Sequence, residues 1–176
     1  ISPPHPSAVN IILDPGLAFG SGTHPTTSLC LEWLDNNLKP NQIMVDYGCG
    51  SGVLAIAAAL LGASKVYAVD NDPQAITATS NNMQKNSITN EIIQACQPKA
   101  LPKIEADYLI ANILAEPLIE LSKKFSRLIK PKGQIALSGI LEEQVEEIMV
   151  HYKPWFELEE PRKEEGWMLI TGARKA

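Results

Sequence analysis

The sequence predicts an α/β fold: a mostly parallel, seven-stranded sheet with helices on both faces and an antiparallel hairpin at one edge. Three observations lead there. Short apolar runs alternate with helical stretches between Ile43 and His151, and parallel pairing needs a crossover of that kind. A glycine-rich turn, Gly48-Cys49-Gly50-Ser51-Gly52, joins the first of these runs to the first helix after it. Two strand-like runs near the end have no helix between them, so they can pair only as an antiparallel hairpin.

The elements come in order along the chain. Val9 to Leu13 reads as a short strand ahead of the sheet. A Gly/Thr/Pro loop covers Asp14 to Thr27, and a helix with apolar Leu29, Cys30, Trp33 and Leu34 comes after it. Thr23 is the expected N-cap of that helix, with Pro25 in a first turn that tolerates it. Strand Ile43–Tyr47 leads through the glycine turn into an Ala-rich helix, Val53–Leu61. Strand Val66–Val69 precedes a helix that opens at Asp72-Pro73 and runs to about Asn86. A short strand is expected near Glu91–Ala95. Strand Tyr108–Ala111 precedes a helix from about Ala115 to Ile129. Pro131-Lys132-Gly133 reads as a turn into strand Gln134–Leu137. A helix over Glu142 to about His151 carries Val145, Ile148 and Met149 on one side. Strands Phe156–Leu158 and Met168–Gly172 flank a charged stretch, Glu159–Gly166.

Composition narrows the class. A chain of 176 residues, 45% hydrophobic, buries a substantial core as one domain, 1–176. The longest apolar run, Val53–Leu61, is far short of membrane-spanning length, so no membrane partner is expected. Ile1–Ser7 is Pro-rich and uncharged, which does not fit a secretory signal. Three scattered cysteines, Cys30, Cys49 and Cys96, show no metal-ligand spacing. They point to a reduced, cytoplasmic protein without a metal site. The net charge of −5 comes without any Lys/Arg stripe. Direct nucleic-acid binding, which leans on phosphate neutralisation, is therefore not expected. A basic protein partner suits this charge better.

Gly48, Gly50 and Gly52 form G-x-G-x-G between a strand and a helix. Residues without Cβ let the backbone turn tightly and a ligand approach closely. The helix after the turn offers unpaired N–H groups at its positive end. Asp70 ends the next strand, 22 residues after Gly48, where a carboxylate can accept both hydroxyl protons of a ribose. A nicotinamide-dependent dehydrogenase would need G-x-G-x-x-G, with glycine at 53, and this chain has Val53. The shorter spacing is typical of methyltransferases, whose ligand has no pyrophosphate. A bare strand-to-helix turn would explain the glycines alone, but not the acid that ends the next strand. Cys49 has no histidine close in sequence, so it reads as a small filler of the turn.

Two further loops are candidates. The front loop, Asp14 to Thr27, holds three glycines, His24 and three threonines. It is either a flexible connector or a wall over the crevice. His24, beside a helix start, reads as a cap or surface residue more readily than as a base. Asn112 comes directly after strand Tyr108–Ala111, where its amide is either an Asx turn or a group placed beside the reacting atoms.

These stretches together resemble one family, PrmA, bacterial methyltransferases that modify amino groups of the large-subunit ribosomal protein L-eleven. The resemblance is carried by LDPGLAFGSGTHPTTSLCLEWL (13–34), VDYGCGSGVLAIAAALLGA (45–63), VDNDPQAI (69–76), ANILAEPL (111–118), LSGILEEQ (137–144) and EEGWMLITG (164–172). The glycine motif is common to many methyltransferases, whereas the front loop is specific to this family. The resemblance implies a Rossmann-like class I methyltransferase domain that uses S-adenosylmethionine. It implies cofactor contacts at Thr27, Gly48, Gly50, Asp70 and Asn112, and ribosomal protein L-eleven as the substrate. It also implies a separate N-terminal recognition domain; residues 1–8 are expected to be a linker remnant, and the chain a fragment lacking that domain.

The catalytic residue is not identifiable from the sequence. Asn112, with the backbone carbonyls of its loop, is the candidate for orienting the amine, and no dedicated base stands out. Two alternatives remain: transfer to another protein or a small amine, and a cofactor-binding domain with little activity alone. The Asn-Pro-Pro-aromatic signature of amide and adenine methyltransferases is absent, since Asn112 is succeeded by Ile113-Leu114-Ala115.

Overall fold

The computed structural model describes residues 7–14 and 24–176. Most of the front loop, with the expected N-cap Thr23, lies outside the described residues.

Among the described residues, five α-helices and eight strands succeed one another along the chain. Helix α1 (Pro25–Asn37) precedes β1 (Ile43–Tyr47), α2 (Val53–Leu60), β2 (Lys65–Val69), α3 (Pro73–Lys85) and β3 (Ile93–Cys96). Then come β4 (Ala106–Asn112), α4 (Ala115–Leu128), β5 (Ile129–Leu141), α5 (Val145–Tyr152), β6 (Phe156–Leu158), β7 (Arg162–Glu164) and β8 (Trp167–Arg174). The strand order is β3-β2-β1-β4-β5-β8-β6, with β7 also on β8. Strands β1 to β5 pair in parallel; β8 runs antiparallel to β5, β6 and β7. Strand order reverses between β1 and β4, the position where an open sheet leaves a crevice at its carboxyl ends.

Alternation along the strands sends side chains to two cores. Met44, Val66, Tyr108 and Ile110 join Leu29, Leu34 and Ile56 on the face covered by α1 and α2. Val45, Leu109 and Ala111 join Leu118, Phe125, Ile148 and Tyr152 on the face covered by α4 and α5. Central strands buried on both faces read as continuous apolar runs, and these do. Asp46, 1% exposed, is their buried charged residue.

Four expectations are corrected. First, Val9–Leu13 is not a strand. Its backbone bonds to the side-chain amide at the end of α3: Ile12 N–H donates to Asn86 Oδ1 (2.8 Å), and Asn86 Nδ2 donates to the Ile12 carbonyl (2.7 Å). Second, Pro131-Lys132-Gly133 does not precede β5 but lies within it. Ala106 pairs with Ile129 and Tyr108 with Gln134, so β5 bulges between those rungs, with Lys132 at φ 67°. The flanking Lys130 forms an ion pair with Asp107 of β4. Third, the charged stretch contains a strand, β7, so the sheet has eight strands rather than seven. Glu165 and Gly166, at φ 49° and 84°, turn β7 into β8, the two-residue turn with both φ positive that suits hairpin twist. Fourth, the cap of α1 is His24, whose Nδ1 accepts from Thr26 N–H (3.3 Å).

Candidate functional site

The loops after β1, β2 and β4 meet at the reversal point around a cavity of about 320 Å³, a size that holds a small ligand. Thr27, Gly48, Gly50, Asp70 and Asn112 all line it. Every site residue expected from the sequence is thus brought to one crevice, although Thr27 comes from α1 and the other four from strand ends. Because β2 and β4 flank β1, Asp70 and Asn112 stand on opposite sides of the glycine turn.

The turn is held in place by backbone and by α3. Gly48 N–H and Cys49 N–H both donate to the Val69 carbonyl, at 2.7 and 3.0 Å. Thr79 Oγ1 donates to the Gly50 carbonyl (3.1 Å), and buried Asn82 Nδ2 donates to the Ser51 carbonyl (2.8 Å). Asn82 Oδ1 in turn accepts from Asp14 N–H (3.0 Å). One amide therefore ties the glycine turn to the segment that enters the front loop. Sequence reasoning missed Thr79 and Asn82. Their signal, polar residues three apart on one helix face, looks like any solvated stripe until the helix is docked. Gly48 has φ 84°, and a Cβ there would lie 2.3 Å from Ile113 Cγ2 of the loop after β4. Glycine is required for the loops to close together.

Asp70 is half-buried and accepts two backbone bonds, from Gly50 N–H to Oδ2 and from Asp72 N–H to Oδ1, each 3.0 Å. Each oxygen keeps a free lone pair, so the carboxylate is fixed yet can still accept two hydroxyl protons. On the other side, Asn112 Nδ2 donates to Thr27 Oγ1 at 3.4 Å. That bond orients the amide and joins the start of α1 to the end of β4. Val53, Leu54 and Leu121 supply apolar wall. A rigid carboxylate, an amide with a hydroxyl, and apolar walls fit a nucleoside carrying a polar tail. The described residues contain no group of three or more His, Cys, Asp or Glu able to hold a metal ion.

The helix start after Gly52 is less open than expected. Its Ala55 N–H donates to Asp46 Oδ2 (3.1 Å), and Val53 N–H reaches Ser51 Oγ (3.4 Å). Asp46 Oδ1 has no partner among the described residues. Burial pushes the Asp46 carboxyl up to about 7, opposed by the Ala55 bond and reinforced by the charge of Asp70. Cys49 is buried, with Sγ 3.4 Å from Thr79 Oγ1. Burial pushes its thiol well above the usual range, which accords with a filler role rather than a nucleophile. His24 serves as a cap and packs edge-on against Trp167, centroids 5.2 Å apart.

An open sheet with a reversed strand at one edge, a glycine turn at the reversal point and an acid ending the next strand define the Rossmann-like class I methyltransferases. A crystal structure of a methyltransferase from Pyrococcus furiosus shares this fold at TM-score 0.75, with 15% identity over 94% of this chain and 89% of that one. Within that class, the chain belongs to the family described as Ribosomal protein L11 methyltransferase (PrmA), which matches residues 1–175. It is 50% identical over 175 residues to the Ribosomal protein L11 methyltransferase of Nitrosococcus oceani, covering 99% of this chain and 60% of that protein. It is 51% identical over 172 residues to that of Shewanella woodyi, covering 98% and 59%. The crystal structure of the ribosomal protein L11 methylase from Lactobacillus delbrueckii subsp. bulgaricus superimposes at TM-score 0.90, with 32% identity over 100% of this chain and 91% of that one. The chain spans about 60% of the length of the curated relatives it matches.

Proposed function

We propose that this chain transfers methyl groups from S-adenosylmethionine to amino groups, lysine side chains and an N-terminal amine, of ribosomal protein L11. The observation that carries the reading is the convergence of Thr27, Gly48, Gly50, Asp70 and Asn112 on one cavity at the sheet's reversal point. Family membership and the relatives' names support the substrate. The net charge of −5 suits a basic protein better than a nucleic acid. Among the described residues no helix is long and apolar enough to cross a membrane, and the reading places the reaction in the cytoplasm, where free Cys30, Cys49 and Cys96 stay reduced.

When bound, S-adenosylmethionine supplies a methyl group already activated on a sulfonium, so the chain's task is alignment rather than activation. Asp70 holds the two ribose hydroxyls with the lone pairs that its backbone bonds leave free. The glycine turn lets the ligand lie against backbone. Asn112, oriented by Thr27, and the carbonyls of its loop accept from the amine and aim its lone pair. A lysine amine, with a reference pKa of about 10.4, must first shed its proton. The half-buried loop favours the neutral form by withholding water. No side chain is assigned as a dedicated base. Calorimetry with S-adenosylmethionine and with NAD, then mass spectrometry of L11 incubated with chain and cofactor, tests this. Heat with S-adenosylmethionine alone and mass gains of about 14 Da per methyl are expected; binding of NAD instead would overturn the reading.

A further inference from the structure

Thr79, Asn82 and Asn86 share one side of α3 and its C-cap. Thr79 and Asn82 are 0% and 3% exposed, and buried polar groups of this kind cost stability unless they are hydrogen-bonded. Thr79 Oγ1 donates to the Gly50 carbonyl. Asn82 uses both ends of its amide, Nδ2 on the Ser51 carbonyl and Oδ1 on the Asp14 N–H. Further along, Asn86 holds both backbone groups of Ile12, and Lys85 forms an ion pair with Asp14. Ile11 and Leu13, on either side of exposed Ile12, pack against the core beneath α1 and α2. Residues 11–14 are thus docked on the end of α3 by polar contacts and on the core by apolar ones. Neither this segment nor Asn82, Lys85 or Asn86 lines the crevice.

We infer that Asn82 is a positioning residue for the cofactor turn, and that the docked segment 11–14 sets how firmly it holds. The inference rests on the reading of the crevice as the S-adenosylmethionine site. The terminal torsion of an asparagine is broad, so one bond to the Ser51 carbonyl would leave its amide loosely aimed. The Asp14 N–H on Oδ1 removes that freedom, and Asn86 and Lys85 keep Asp14 in place. On the other side stands Gly50, next to Ser51, with its carbonyl held by Thr79 and its N–H on Asp70 Oδ2. A run of hydrogen bonds therefore leads from Asp14 through Asn82 to the turn, and from the turn to the acid assigned to the ribose. The coupling lies in the single amide: losing either partner leaves a buried polar group unmatched and loosens the other bond. Reciprocity follows, so a segment that strengthens cofactor binding is itself held more firmly when cofactor is bound.

Amide hydrogen exchange on the full chain tests this first without any ligand. Asn86→Ala removes the partners of Ile12 and touches nothing in the crevice. It should speed exchange of the Asp14 N–H and, roughly 5-fold or more, of the Gly50 N–H. In an Asn82→Ala background the same substitution should leave Gly50 unchanged, because the link is already cut. Asn82→Asp keeps an acceptor for Asp14 and loses the donor to Ser51. It should leave Asp14 protected while Gly50 exchanges faster, and it replaces Asn82→Ala as the background if that variant fails to fold. With S-adenosylhomocysteine, exchange at Ile12 and Asp14 should slow in the unsubstituted chain and not in Asn82→Asp. Calorimetry should show Asn86→Ala weakening that ligand several-fold. Equal Gly50 exchange with and without Asn86→Ala overturns the inference, as does an effect that persists undiminished once Asn82 is replaced. An unsubstituted chain that binds no S-adenosylhomocysteine breaks the cofactor reading, and the ligand-free exchange still decides whether segment 11–14 acts on the turn through Asn82.

Discussion

The two halves of the sheet solve the same problem differently. In the parallel half, β3-β2-β1-β4, regular strands end together and the loops at their carboxyl ends make the site. Those loops are held from outside, by Thr79 and Asn82 of α3 on the glycine turn and by Thr27 on Asn112. In the antiparallel half, β5-β8 with β6 and β7, the strands themselves are irregular. Register shifts interrupt β5 against β4 and again against β8, and the second shift holds Gly139 beside the Asn112 loop. Parallel strands cannot be joined by tight turns, so their ends are free to carry binding loops; antiparallel strands must bend or bulge to contribute. The cavity at the reversal point is lined by the loops of the first half, with Thr27 from α1.

The sharpest way to break this contrast is Gly48→Ala. Gly48 sits at φ 84° with Ile113 Cγ2 2.3 Å from the missing Cβ. A left-handed conformation costs an alanine about 1–2 kcal/mol, and overpacking adds about 1–3 kcal/mol. Urea unfolding should show a loss of about 2–5 kcal/mol, with cofactor binding lost in the folded fraction. A loss below about 1 kcal/mol would mean that the loops can move apart, and that the parallel half is not rigid at its ends.

Asp70→Ala ranks next. It removes the carboxylate that the proposed reading gives to the ribose, and it frees the N–H groups of Gly50 and Asp72. Hydrogen bonds to a charged group contribute about 1.5–3 kcal/mol each. Calorimetry should therefore show affinity for S-adenosylmethionine falling roughly 100-fold or more. Unchanged affinity would remove Asp70 from the site.

Much of the parallel half was legible in the sequence, because its signals are local. Period and glycine spacing located β1, α2, β2 and α3 within a residue or two, and Gly48, Gly50, Asp70 and Asn112 stand at or just after strand ends around one cavity. The failures share one cause, a pairing partner that the local pattern of apolar residues does not announce. Ile12 finds its hydrogen bonds on Asn86, so an apparent strand is an extended tether. Pro131-Lys132-Gly133 reads as a turn by composition, yet pairing with β4 keeps the chain in the sheet and makes it a bulge. Arg162-Lys163-Glu164 has no apolar alternation at all and is a strand only because β8 offers an edge. Thr79 and Asn82 belong to the same class, as does Asp46, whose orphaned oxygen depends on everything packed above β1.

Asp46 makes the rigidity of the parallel half measurable through pH. Its carboxyl titrates near 7 in the folded chain, against an ordinary value of 3.8. The unfolded chain therefore releases this proton first, near pH 4, and the folded chain holds it until about pH 7. Stability from this group is greatest at low pH and declines as pH rises across that window. Asp46→Asn has no proton to lose, so its stability should decline less, by about 2 kcal/mol between pH 5 and 7. Urea unfolding of both proteins at the two pH values reads the difference directly. Parallel slopes would show that the carboxylate is solvated or partnered after all.

The smallest effect tests the antiparallel half and calibrates the first prediction. Gly166 shares φ 84° with Gly48, but a Cβ there would meet nothing within 4 Å. Gly166→Ala thus incurs the conformational cost without the collision, about 1 kcal/mol, and it weakens a hairpin remote from the cofactor crevice. Thermal unfolding should drop by a few degrees while affinity for S-adenosylmethionine stays the same. The gap between the two alanine variants isolates packing at the reversal point, since backbone strain is common to both. Were Gly166→Ala as costly as Gly48→Ala, left-handed strain alone would account for both, and the close contact between Gly48 and Ile113 would not be what holds the crevice in shape.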